Sequence, residues 1–138
     1  TPIGQRAGTM AQIIIDKGLC HVEAVYGIEA VMHYPGLYAG SADLVGIHKG
    51  EDAIMDFKQT NKPKQEAWIG DYFLQLAAYG MAHDHVYGTQ INKGVIMMCS
   101  IDNYYQEFVV EGEKFRYYKH EFLRRLDQYY GIRTITST

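Results

Sequence analysis

The chain has 138 residues, a formal net charge of -3 and two cysteines. This length fits a single domain with a real hydrophobic core, and we expect residues 1–138 to form one domain whose N-terminal part is missing, because the chain opens without Met. The acidic balance excludes a surface that is basic overall, so any contact with nucleic acid must be local. Two cysteines in apolar surroundings exclude a disulfide framework and predict a reducing compartment. The longest apolar run, residues 95–99, is too short to cross a bilayer.

Hydrophobic periodicity and turn residues predict elements in the order αβββαββα, an α/β (α+β) arrangement. Apolar residues on both faces of the second and third strands predict a sheet that is covered on both sides. The predicted helices cover residues 8–17, 66–85 and 113–130, and Gly18 is the expected C-cap of the first. The predicted strands cover residues 22–33, 37–47, 53–59, 95–100 and 106–110. A polar loop is expected over residues 58–65.

The segment from residue 42 to residue 58 carries the strongest chemical signal. Apolar runs on both sides of Lys49-Gly50 predict a β-hairpin whose facing positions add up to 99. Asp43 is then opposite Asp56. Like charges that face each other destabilise a hairpin, so this placement indicates a functional reason for the two acids. Lys58 returns to the same face with the strand's period of two. Two carboxylates and a lysine on one patch predict a divalent-metal site suited to phosphodiester hydrolysis. The alternatives are edge-strand acids that point to solvent and, for Lys58, a salt bridge to Asp56, which is compatible with the site when no metal is bound.

These residues resemble a known family. Asp43 followed by Asp56-Phe57-Lys58 resembles the signature of the PD-(D/E)XK nuclease superfamily, and Gln75-Leu-Ala-Ala-Tyr79 resembles the Q-x-x-x-Y motif of its RecB-like exonuclease branch. The similarity to phage exonucleases and mitochondrial genome maintenance exonucleases extends over residues 8–94. It implies an αβββαβ core with a mixed sheet flanked by helices, and a Mg²⁺ or Mn²⁺ cofactor. It also implies that Lys58 orients the attacking water and that the Phe57 backbone carbonyl is a metal ligand.

Gln75 and Tyr79 lie one helical turn apart and therefore share a face. Because a buried amide needs hydrogen-bond partners, Gln75 is a candidate site residue, and Tyr79 accompanies it. Trp68 and Tyr72 continue the same face, and aromatic residues at this spacing usually belong to a core. The alternative is therefore a helix that simply packs on the sheet.

Two further metal-ligand candidates follow from the resemblance. The family usually brings an acidic residue of the first strand toward the metal, and Glu29, between two apolar residues, is preferred here over Glu23. The segment from Gly8 to Gln12 resembles the family's G-T-x-x-H helix motif, with Gln12 where the family has histidine. An amide oxygen can ligate a hard cation, but it cannot titrate near neutral pH as imidazole does.

Lys62 and Lys64, together with Lys58, form the dense basic run of the chain. Such a run is usually a solvated loop. Its position directly after the strand that carries the site predicts instead that it contacts the phosphate backbone of DNA.

The expected function is a metal-dependent DNA exonuclease that acts on single-stranded DNA or DNA ends in phage-type replication, recombination or repair. We expect it in the cytoplasm of a phage-infected or bacterial host, with an organelle as the alternative, and no protein partner follows from the sequence. The alternative functions are a structure-selective endonuclease and a DNA-binding accessory protein that has lost turnover.

Overall fold

The computed structural model describes residues 2–34, 38–64 and 69–130, with the backbone alone described for residues 2–4, 6–7, 24–34, 38–43 and 129–130. The helices are α1 (Pro2–Lys17), α2 (Gly70–Tyr87) and α3 (Glu113–Tyr130). The strands are β1 (Val22–Tyr34), β2 (Tyr38–His48), β3 (Glu51–Thr60), β4 (Lys93–Ser100) and β5 (Tyr105–Glu111). The predicted order αβββαββα is confirmed, and so is the predicted mixed sheet flanked by helices.

The five strands form one sheet in the order β1-β2-β3-β4-β5. β3 and β4 are parallel because α2 connects them, whereas the other neighbouring pairs are antiparallel. The β2–β3 hairpin turns at Lys49 and Gly50, whose φ angles of 48° and 85° belong to the left-handed region that a two-residue turn requires. The pairs Leu44↔Met55 and Val45↔Ile54 confirm the predicted register.

The sheet is covered on both sides, as the apolar residues on both faces of the hairpin predict. One face, here called the α2 face, buries Val45 and Ile54 against Phe73 and Leu76 of α2 and Phe115 of α3. The other, the α1 face, buries residues that include Leu44, Met55 and Met97 against Met10 and Ile14 of α1. Since side chains alternate along a strand, Ile54 on the α2 face brings Asp56 and Lys58 to that face and Phe57 to the other.

Helix α1 ends at Lys17 as expected, but the expected reason is wrong. Gly18 has φ −101°, which is not the left-handed conformation of a glycine C-cap. A Cβ at this position would instead lie 2.8 Å from the carbonyl oxygen of Ile14 and 2.5 Å from the Tyr105 hydroxyl oxygen. Gly18 is therefore required by the close approach of α1 to the sheet. Within the described ranges, no helix combines the length and apolarity needed to cross a membrane.

Candidate active site at the end of β3

Asp56 and Lys58 form an ion pair on the α2 face. The Lys58 Nζ lies 2.9 Å from Asp56 Oδ2, and the two side chains keep 32% and 19% of their surface exposed. The same Nζ lies 4.9 Å from the ring centroid of Tyr72 in the first turn of α2. A carboxylate and an aromatic face both attract an ammonium group, so Lys58 is held at the place where β3 ends and α2 begins. The salt bridge considered for the sequence is present, and it leaves both groups within reach of solvent.

The loop that follows β3 carries two more lysines. Lys62 is exposed and Lys64 is half-buried. The side chain of Gln106 in β5 receives a hydrogen bond from the Lys64 backbone N–H at 2.8 Å and donates one to the Lys64 carbonyl at 2.6 Å. The Thr60 hydroxyl donates to the Lys62 carbonyl at 2.9 Å. The described first part of the loop, which carries both lysines, is therefore held by β3 at Thr60 and by β5 at Gln106.

Gln106 was not found as a functional residue in the sequence. The period of two puts it on the same face of β5 as the buried Val110, which is the only signal that the sequence offered. Its partner lies 42 residues earlier in the chain, and no local pattern links two such positions.

Backbone register aligns the acidic positions that the sequence proposed as metal ligands. Continuing the β2–β3 register from Leu44↔Met55 by one residue places position 43 opposite position 56. In β1, the pairs Ile28↔Leu44 and Ala30↔Ala42 bracket positions 29 and 43. The Asp43 and Glu29 side chains themselves lie outside the described residues, so their role as ligands stays a prediction. Among side chains that are described, no group of three or more His, Cys, Asp or Glu could hold a metal ion.

These positions suit a hard divalent cation chemically. Asp56 provides a described, partly exposed carboxylate, and aspartate and glutamate occupy the two aligned positions on neighbouring strands. Carboxylate oxygens are the ligands that Mg²⁺ prefers. The donor set therefore fits a hard divalent ion.

Two known proteins that the chain resembles carry descriptions as exonucleases. The chain is 33% identical over 90 residues to the Mitochondrial genome maintenance exonuclease 1 of Xenopus tropicalis, an overlap of 61% of this chain and 25% of that protein. Its fold matches a crystal structure from Eubacterium rectale, provisionally described as an exonuclease, with a TM-score of 0.63 at 13% identity over 97% of this chain and 62% of the other. The resemblance to the PD-(D/E)XK exonucleases is confirmed.

The chain spans about a quarter of the length of the curated relative. An alkaline exonuclease from Laribacter hongkongensis matches 92% of this chain and 67% of its own at 12% identity, with a TM-score of 0.38 that is too low to support an inference. No family model matches the sequence.

The two residues of the Q-x-x-x-Y resemblance occupy different environments. Tyr79 is half-buried and packs against the core cluster of the α2 face. Gln75 is exposed, so the expectation of a buried amide is wrong. Tyr72 and Tyr79 on this side of α2 pack against the core. Gln75 lies at the edge of the same side, where the helix surface turns toward solvent. Trp68 lies outside the described residues.

Gln12 is not brought together with Asp56 and Lys58. Helix α1 packs on the α1 face, whereas the ion pair is on the α2 face. The Gln12 side chain is exposed, and its amide donates a hydrogen bond to Asp16 Oδ1 at 2.8 Å. The Phe57 side chain packs with the core on the α1 face. Its backbone carbonyl remains between the two site residues in sequence, and its role as a ligand stays a prediction.

Proposed function

We propose that this chain is a metal-dependent DNA exonuclease that hydrolyses phosphodiester bonds of single-stranded DNA or DNA ends, in phage-type replication, recombination or repair. The observation that supports this most strongly is the Asp56–Lys58 pair at the end of β3, on a sheet with the exonuclease fold. We expect the protein to act either in the cytoplasm of a phage-infected or bacterial host or in an organelle. The name of the curated relative refers to such an organelle, the mitochondrion.

Asp56, Asp43 and Glu29 would hold Mg²⁺ or Mn²⁺, with the Phe57 carbonyl as a further ligand. When bound, such an ion polarises the scissile phosphate and lowers the pKa of a water molecule.

Lys58 acts on the phosphate in this proposal. Its ammonium group donates hydrogen bonds to a phosphoryl oxygen and offsets the negative charge that develops there, an effect that is strongest where water is largely excluded. The Asp56 carboxylate and the Tyr72 ring restrict the positions of the Lys58 Nζ before substrate arrives. A donor that is placed in advance costs less reorganisation during the reaction.

Lys62 and Lys64 bind the strand rather than react with it. Both follow β3 directly, so a DNA backbone that enters at Lys58 would continue along this loop. Contacts with phosphates give affinity without sequence information, and a small sequence preference is therefore expected. Gln75, at the solvent edge of α2, and Tyr79 behind it would position the substrate from the helix side.

The decisive experiment incubates end-labelled linear and circular DNA, single- and double-stranded, with Mg²⁺, Mn²⁺ or EDTA. We expect cleavage of linear single strands with either ion and none in EDTA. Lys58→Ala should reduce turnover at saturating DNA by about 100-fold, the size typical for removal of a donor to a developing charge. The paired variant Lys62→Ala with Lys64→Ala is the matched control: it should weaken binding and flatten its salt dependence while sparing turnover.

The alternative functions give different results in the same assay. Cleavage of circular single strands would identify a structure-selective endonuclease. Binding without cleavage under either metal would identify an accessory protein that has lost turnover. Equal loss of turnover in the Lys58 variant and the loop variant would contradict the division of roles proposed here.

A further inference from the structure

The turn between β4 and β5 lies beside the basic loop. Thr60 at the end of β3 pairs with Ser100 at the end of β4. The Ile101 backbone N–H donates to the Thr60 carbonyl at 2.9 Å, and Gln106 holds Lys64 from the other side of the turn. The β4–β5 turn, residues 101–104, therefore lies directly beside the loop that carries Lys62 and Lys64.

This turn exposes two large apolar side chains. Tyr104 is 55% exposed and Ile101 is 39% exposed. Single apolar side chains are common on protein surfaces, so exposure alone would carry no argument. Here the two side chains share one short turn, and that turn is next to the positively charged loop and the end of the strand that carries the candidate active site.

The backbone of the turn is fixed. The Ser100 N–H donates to the Tyr104 carbonyl at 3.0 Å, and the Asn103 N–H donates to the Ser100 carbonyl at 2.9 Å. Asn103 has φ 66°, which asparagine tolerates better than most residues. The Tyr104 ring is therefore presented to solvent from a closed, hydrogen-bonded turn, and ordering it on a ligand costs little backbone entropy.

We propose that this corner is a nucleotide-binding subsite, in which the Tyr104 ring stacks on an unpaired base while Lys62 contacts a neighbouring phosphate. Aromatic rings stack on every base, and cationic grooves follow the backbone of single strands. A base inside a duplex has both faces covered by its neighbours, so a stacking surface favours single-stranded DNA or a frayed end. This inference rests on the proposed function and adds to it a residue that would cause the preference for unpaired bases.

The occupant follows from the combination of groups. An apolar protein partner would use Ile101 and Tyr104 but has no use for the adjacent lysines, whereas a single strand of DNA uses both. Single-stranded DNA is therefore the proposed occupant, and a protein partner is the alternative from which the DNA-binding experiment must distinguish it.

The experiment measures binding in EDTA, so that no cleavage occurs, to a labelled oligodeoxythymidine, to the same strand with abasic sites and to a blunt duplex. Tyr104→Ala should raise the Kd for the oligodeoxythymidine by about 5-fold or more, because stacking on one aromatic residue contributes roughly 1 kcal/mol or more. Tyr104→Phe should bind like the wild type because it keeps the ring. The wild type and Tyr104→Ala should bind the abasic strand equally, and the duplex equally.

Tyr87→Ala is the matched control, since Tyr87 is 60% exposed but lies at the opposite end of α2. It should leave every Kd unchanged. Identical binding of the oligodeoxythymidine by the wild type and Tyr104→Ala would overturn the subsite, as would equal weakening on the abasic strand or a wild type that binds no DNA.

The subsite and the proposed function fail in different ways. If the wild type cleaves DNA but Tyr104→Ala binds normally, only the subsite is wrong. If DNA binding depends on Tyr104 while no metal supports cleavage, the subsite stands and the nuclease activity is wrong.

Discussion

At the Asp56 carboxylate two positive charges compete in the proposed mechanism: the Lys58 ammonium at 2.9 Å and a divalent ion. Lys58 can give way because its side chain is one-third exposed and the Tyr72 ring offers a second attractive position. In the metal-free protein the ion pair offsets part of the repulsion expected among the acidic positions 29, 43 and 56. The residues that would perform the chemistry would thus also stabilise the site when no metal is bound.

For Asp56→Asn, this arrangement predicts a small decrease in the stability of the metal-free protein and a complete loss of stabilisation by metal. A partly exposed ion pair contributes about 0–1 kcal/mol, so the free energy of unfolding without metal should change by no more than about 1 kcal/mol. Mg²⁺ or Mn²⁺ should raise the melting temperature of the wild type, by mass action on a native-state site, but not that of the variant. Urea unfolding and thermal melts with and without metal measure both effects. Destabilisation of the metal-free protein by more than about 2 kcal/mol would show that Asp56 is structural.

At the scale of elements, the site depends on a loop and a strand that are distant in sequence. The β3–α2 loop has few described contacts of its own, and the amide of Gln106 supplies it with the pair of hydrogen bonds that a neighbouring strand would give. Loops that bind ligands work best when a rigid scaffold positions them. β5 therefore contributes to the proposed DNA interface through the Gln106 side chain.

Gln106→Ala should loosen this loop without unfolding the protein. We expect faster hydrogen exchange at the Lys64 amide, because its acceptor is removed. We also expect weaker DNA binding, and this loss should disappear in the background of Lys62→Ala with Lys64→Ala, since the loop then has no charge to position. Gln128→Ala, an exposed glutamine of α3, is the control and should change neither quantity. Full additivity of the Gln106 and lysine variants would contradict a positioning role.

At the scale of the whole molecule, the sheet separates two kinds of ionisable group. The proposed chemistry uses the α2 face, whereas the α1 face holds a group of hydrogen-bonded polar residues, of which His48 and Lys93 are buried. The His48 Nε2 lies 3.2 Å from Glu107 Oε2, and the Tyr105 hydroxyl donates to Glu107 Oε1 at 2.7 Å. The buried Lys93 ammonium donates to the His48 carbonyl at 3.1 Å. Burial, and next the hydrogen bond to Glu107, raise the pKa of Tyr105, so this hydroxyl remains a donor.

The buried histidine of this polar group predicts that the stability of the protein falls in mild acid. Burial, and next the Lys93 charge, lower the pKa of His48 below 6.5 despite the Glu107 carboxylate, and burial lowers the pKa of His83 as well. As the pH falls through about 6.5 the unfolded chain binds protons that the folded chain does not, so stability that is complete above this pH is lost toward the lower folded-state pKa.

Urea unfolding at pH 7.5, 6.5 and 5.5 measures this loss, about 1.4 kcal/mol for each unit by which the pKa is lowered. His48→Gln should reduce the pH dependence, because glutamine does not titrate. His120→Gln, at an exposed position of α3, should retain it. A His48→Gln variant with the full wild-type pH dependence would show that other groups are responsible.

The sequence by itself determined the turns, the strand register and the helix bounds that depend on residues close together in the chain. The Lys49-Gly50 turn fixed the hairpin centre, and strand alternation then fixed the register that the pairs Leu44↔Met55 and Val45↔Ile54 confirm. The bounds of α3 agree with its predicted range, because its apolar spacing and its first residue are local signals. The same alternation brought Asp56 and Lys58 to one face, and their ion pair was foreseen as one of two interpretations.

The tertiary structure decided which face each helix covers and which distant residues meet. Periodicity shows that residues share a side of an element, but not the surface on which that side packs, so Gln12 was expected beside the ion pair and lies across the sheet from it. Gln75 was expected to be buried because its helix face was known, while the edge of the core that exposes it was not. Gly18 and Gln106 act through contacts with Tyr105 and Lys64 that only the folded sheet creates, since residues far apart in sequence are brought together by packing and leave no local pattern.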